Sequence, residues 1–189
     1  MPKLIKLHDG RPEWADDIFV SLGDDEPAPT PQSDNVGAVI VSLARFQADG
    51  DAWLSSGRKV GVRLQPDEAV EGLAYDLPRL SLVALTFPKF RDGRAYSAAT
   101  LLRERYGFTG EIRAVGEVLR EQAHFMIRCG FDAYEPSDGS GPEEWGRSAY
   151  RFHHVYQAAA DTRRPAYLER GGSGAAPSDD PKAPSGPVA

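Results

Sequence analysis

The chain has 189 residues, 41% of them hydrophobic, with a net charge of −6. That length gives one domain with tails and enough apolar side chains for a core. The acidic balance argues against a general nucleic-acid binder, no apolar run is long enough to span a bilayer, and the single cysteine, Cys129, excludes an internal disulfide or a multi-cysteine metal knot.

The opening residues show no apolar stretch followed by a small-residue cleavage site, so a soluble cytoplasmic protein is expected. Two short apolar patches, residues 4–7 and 18–22, suggest a small hairpin or an edge strand. Residues 23–35 are acidic and proline-rich, which suits a solvated loop. An apolar run of strand length follows over residues 36–43. The Asp49-Gly50-Asp51 turn signal comes next, with Trp53 and Leu54 capping the core nearby. Residues 59–64 alternate and read as a strand. Pro66, Asp67 and Glu68 suit the first turn of a helix, which Tyr75–Pro78 would close. Residues 80–87 are continuously apolar, the pattern of a strand buried on both faces. Ala95, Ala98, Ala99, Leu102 and Tyr106 form a helical stripe that Gly107 caps. A short strand is expected over 112–115. A helix over 117–129 carries the stripe Leu119, Ala123, Met126, Ile127 and ends at Gly130. A last short strand is expected over 131–134, and Pro142 opens a terminal helix within 142–160.

Strands alternating with helices at this spacing predict an α/β fold with a mainly parallel sheet built from βαβ units. Four such strands are too few for a full barrel, so an open layered sheet or a partial barrel is expected. The chain divides into N-terminal strands with the acidic loop (1–35), a single α/β domain (36–160) and a disordered Gly- and Pro-rich tail (170–189).

The loop after the 80–87 strand gathers Lys89, Arg91 and Arg94 around Asp92 and Gly93. In open α/β sheets ligands sit outside the carboxyl ends of the strands. Arg113 and Glu117 lie at or near the next strand end, so the two loops could share one crevice. Arginine forks suit sulfate, phosphate or carboxylate, and free N–H groups at a helix start at Gly93 or Glu117 would add to them. The bland alternative is a solvated turn in which Asp92-Gly93 makes the bend and Asp92 caps the helix. There is no Gly-rich nucleotide fingerprint. Arg120, His124 and Arg128 recur every four residues and share a helix face. This is either a solvated row of ion pairs or a place for His124 to act as a base. Cys129 sits at a helix C-terminus, where the dipole disfavours a thiolate. A buried structural role suits it better than a redox role, and no second cysteine exists to complete a two-thiol cycle. His153 and His154 point about 100° apart on a helix. A metal site is therefore not expected, and Tyr150, Phe152 and Tyr156 read as a docking seam on the main domain.

Three blocks, residues 87–97, 110–122 and 128–134, resemble a bacterial family known as domain of unknown function 934. Lys89, Asp92, Gly93, Arg94, Arg113, Gly116, Arg128, Cys129 and Gly130 match it. Ala95 replaces an expected Gly and Glu117 an expected Asp. The resemblance implies an accessory or oxidoreductase-type protein of sulfite reduction, within assimilatory sulfur metabolism. The expectation that follows is an accessory protein that docks to sulfite reductase or its electron donor, with no cofactor and no metal. The alternative is a small enzyme that binds an oxyanion or sulfur intermediate at the cationic loop.

Overall fold

The first apolar patch forms β1 (Leu4–His8), which reverses through Asp9 and Gly10 into β2 (Arg11–Ala15). Both turn residues have positive φ, 48° and 75°, as the tight primed hairpin turns require. This computed structural model describes residues 4–25, 37–161 and 163–169. The acidic loop expected over 23–35 lies mostly outside them, and the tail expected over 170–189 lies wholly outside. The second patch supplies β3 (Phe19–Ser21), which pairs parallel to β4 (Ala38–Ser42). The hairpin therefore joins the first patch to the polar segment Arg-Pro-Glu-Trp-Ala, and the second patch is an edge strand at the far side of the sheet.

The remaining strands are β5 (Lys59–Leu64), β6 (Leu82–Phe87), β7 (Glu111–Gly116) and β8 (Ala133–Tyr134). The sheet order is β2-β1-β8-β7-β6-β5-β4-β3. Strands β3 to β8 are parallel neighbours in chain order. However, β1 runs antiparallel to both β8 and β2. This corrects the fold class expected from βαβ units: the sheet is mixed, eight-stranded and curled into a half-barrel, with an antiparallel edge. The two-residue turn between β1 and β2 allows that pair only the antiparallel sense.

Because β3 to β8 follow one another in order, right-handed crossovers place their connections on one face. That face holds the larger core. Val60, Val62, Val83, Leu85, Phe87 and Ile112 pack there against Phe46, Trp53, Leu102, Met126 and Trp145. Full burial of a side chain such as Phe87 or Leu85 contributes about 1.5–3 kcal/mol. Alternate strand residues point to the inner face of the curl, where Phe19, Ala38, Ile40, Leu82 and Ala84 form a smaller cluster.

The helices depart from expectation in three places. α1 (Leu43–Ser55) runs through the Asp49-Gly50-Asp51 turn signal. Asp49 bends it with φ −135° and ψ 31°, which brings Trp53 onto the core. Ser42 caps it, accepting from the Arg45 N–H at 3.3 Å. The helix expected after Pro66 is instead two short 3-10 turns, Val70–Leu73 and Leu77–Arg79. α2 (Arg94–Thr100) continues as one π-turn, Leu101–Arg105, closed by Tyr106 N–H to Leu101 C=O at 3.2 Å. α3 (Ala123–Cys129) starts later than expected, after a 3-10 turn over Arg120–Gln122. Gly130 ends it in the left-handed region at φ 94°. α4 is only Pro142–Ala149, and a short α5 (Ala166–Glu169) closes the described chain.

Candidate functional site

β6 leaves the core at Phe87, and residues 88–91 are exposed beyond it. A turn closes with Asp92 N–H on Lys89 C=O at 2.9 Å. The Asp92 carboxylate then folds back onto Arg94. It accepts from the Arg94 backbone N–H (3.2 Å), from Nε (3.0 Å) and from Nη2 (2.7 Å). These hydrogen bonds hold the Asp92 carboxyl below its usual range and raise Arg94 above its own. Arg94 is thus committed inside the loop. Lys89 and Arg91 have no ion-pair partner among the described residues, and Phe90 stands 42% exposed between them.

The connection after β7 clamps this loop. Gly116 has φ 97°, and a Cβ there would lie 2.4 Å from the Phe87 carbonyl oxygen, so only glycine permits the two strand ends to close. Glu117 N–H donates to Phe87 C=O at 2.7 Å, and the Glu117 carboxylate accepts the Phe90 N–H at 2.9 Å. Gln122 is buried and was not singled out from the sequence. Its Nε2 reaches Phe90 C=O (3.4 Å) and Tyr96 Oη (3.0 Å), while its Oε1 accepts the Leu119 N–H (2.9 Å). Both backbone groups of Phe90 are therefore held by side chains of the neighbouring connection. The only sequence signal for Gln122 was a polar residue beside the apolar stripe.

The cavity at these strand ends, lined by Gln65, Thr86 and Arg94, measures about 20 Å³. That is room for about one water. Thr86 Oγ1 is buried with no hydrogen-bond partner among the described residues.

Arg113, expected near the loop, sits instead on the inner face of the sheet and is fully buried. It pairs with Asp17 (2.7 and 3.0 Å), Glu111 (2.8 Å) and Glu135 (3.2 Å), and its guanidinium faces the Phe19 ring at 5.6 Å. Burial works against its charge, but the hydrogen bonds and charges of Asp17 and Glu111 outweigh burial and raise its pKa. Burial raises the Glu135 carboxyl despite the attraction of Arg113. This cluster ties the segment before β3 to β7. Asp17 lies 96 residues from Arg113 in sequence, and no local pattern links them.

The α3 row also serves packing. Arg120 pairs with Glu144 at 2.9 Å, and His124 Nδ1 meets Ala149 C=O at 2.8 Å. Arg128 pairs with Asp161 at 2.9 Å and binds Gln157 C=O. Together they hold α4 and the segment after it against α3. Of the proposed seam, Phe152 edges onto His124 at 5.2 Å, but Tyr156 is 81% exposed. His154 contacts Glu169 instead of a second histidine. Arg103, also missed, bridges Gly130 C=O, Phe108 C=O, Gly110 C=O and Asp132. Cys129 is buried, and burial pushes its thiol pKa up. It lines a groove of about 440 Å³ between α2 and α3. No cluster of three or more His, Cys, Asp or Glu suited to a metal occurs among the described residues. No helix there is long and apolar enough to cross a membrane.

The family model of a bacterial protein of unknown function, DUF934, matches residues 61–167, more than half the chain, so the protein belongs to that family. The match spans β5 to α5 and takes in the loop clamp, Arg113 and the α2–α3 groove. No curated protein matches the chain.

Proposed function

We propose that this DUF934 protein acts by docking to another protein through the strand-end rim made by Lys89, Phe90 and Arg91. The carrying observation is the clamp on Phe90. Glu117 and Gln122 hold its backbone, and the loop presents two cations with no ion-pair partner among the described residues around an exposed aromatic ring. Such pre-ordering lowers the entropy cost of association. Arg and aromatic side chains are the usual anchors of protein interfaces. The family resemblance supplies the partner class, sulfite reductase or its electron donor. The setting is then assimilatory sulfate and sulfite reduction, and the role that of an accessory protein.

The oxyanion-binding alternative fits this geometry less well. Arg94 is taken up by Asp92, and the adjacent cavity holds about one water, too little for a sulfur oxyanion. A redox role for Cys129 meets a similar objection, because burial disfavours its thiolate.

The test is affinity capture of the tagged full chain from its bacterial host grown on sulfate, read by mass spectrometry. Docking predicts stoichiometric co-recovery of sulfite reductase or its donor, lost in the Lys89→Glu/Arg91→Glu double variant. Recovery of the chain alone would contradict it.

A further inference from the structure

We infer that the groove between α2 and α3 seats a helical segment of the docking partner, with an apolar stripe along it and an acidic end lying on Lys89 and Arg91. The inference rests on the docking reading and adds where the partner lies and what chemistry it carries.

The groove and the rim are one surface. Gln122 Nε2 contacts both Phe90 C=O and Tyr96 Oη, and the Tyr96 ring meets Phe125 edge-on at 4.7 Å. Tyr96 and Phe125 line the groove, and Phe125 is 55% exposed. From the rim the groove follows α2 to Glu104 and Arg105 on the π-turn, with Cys129 along its α3 side. From Tyr96 to Arg105 the helix advances about 14 Å, the length of two to three turns of a partner helix. The volume of about 440 Å³ leaves room for its apolar side chains, and an amphipathic helix laid in an apolar groove is a recurring mode of peptide recognition.

Charge fixes the polarity. At the far end Glu104 and Arg105 carry opposite signs and cancel. At the rim, Lys89 and Arg91 have no ion-pair partner among the described residues. A segment with acidic residues at the end that reaches the rim complements it.

The probe is a displayed library of short helical peptides with varied apolar and charged positions, selected against the full chain. Winners are then synthesised. Cys129 is buried, so occupancy is read in the Ser97→Cys/Cys129→Ser variant, whose one thiol is exposed on the groove and open to a maleimide. The expected winners carry Leu or Phe at i, i+3 or i+4 and i+7, with Asp or Glu clustered at one end. At saturation they should slow alkylation of that variant about tenfold, and Ser97→Trp, at the same exposed lining position, should weaken them about tenfold. Lys89→Glu/Arg91→Glu should weaken them several-fold, with steep salt dependence. Urea unfolding checks that each variant folds.

Winners without an acidic bias, or without protection of that groove thiol, would overturn the inference. So would binding of small apolar compounds alone, or a concentration-dependent dimer abolished by Ser97→Trp. Partner capture unaffected by Ser97→Trp would overturn the groove inference alone. Capture unaffected by the Lys89/Arg91 reversal would overturn the docking reading beneath it.

Discussion

Two cationic regions of this molecule look alike in sequence and do opposite things. Arg113 is fully buried and surrounded by Asp17, Glu111 and Glu135. Lys89 and Arg91 stand in solvent at the rim of the same sheet. Arg113 is spent on holding the inner face of the curl together, whereas the rim cations are available to something else. A basic residue near a strand end is thus not evidence of a ligand site until its partners are known.

The sharpest way to break this contrast is to remove one charge from each region. Arg113→Met leaves Asp17 and Glu135 without their cationic partner, while Glu111 keeps Lys6 at 2.7 Å, and should cost about 3–5 kcal/mol in urea unfolding followed by tryptophan fluorescence. If it cost no more than a surface change, the buried cluster would not be structural. Gly116→Ala comes next. It places a Cβ against the Phe87 carbonyl at positive φ, and should cost about 1–3 kcal/mol. Gln122→Ala should cost about 1–3 kcal/mol by leaving buried groups unpaired, and should speed amide exchange in the loop around Phe90. Lys89→Glu/Arg91→Glu should change stability by no more than about 0.5 kcal/mol while abolishing partner capture.

A pH titration sharpens the contrast further. The folded-state pKa of Glu135 is raised above 4.5, so the folded protein binds this proton more tightly than the unfolded chain. Its contribution to stability is fully present below 4.5 and is lost as pH rises through the raised folded value. Asp92, at the rim, has the opposite sign: its pKa is lowered, so its contribution is present above 3.8 and lost as pH falls through the folded value. Glu135→Gln should therefore flatten the fall in stability just above pH 4.5, measured as the urea midpoint against pH. An unchanged profile would show that burial of Glu135 does not control it.

The central strands β5 to β7 were legible because their apolar runs are long and bounded by turn residues. β2 was not, since Arg-Pro-Glu-Trp-Ala is polar and proline-bearing, as an edge strand can be. Its hairpin did leave a trace in Asp9-Gly10, a dipeptide suited to the primed turn. α1 was hidden by Asp49-Gly50-Asp51, which marks a bend inside a helix here and not its end. At the candidate site the loop and Glu117 were visible from the sequence, because strand-end loops are local features. The Arg113 cluster was not. Glu111 shares its strand and Glu135 follows the adjacent β8, but Asp17, just before the far edge strand β3, reaches it only through the curl of the sheet.

The most direct test of the docking account is a binding titration of the purified full chain against purified sulfite reductase and, separately, its electron donor. The account predicts saturable binding to one of them that weakens as salt rises and is lost in Lys89→Glu/Arg91→Glu, a variant that still unfolds like the wild type. Binding that survives this charge reversal unchanged, or no binding to either protein, would contradict it.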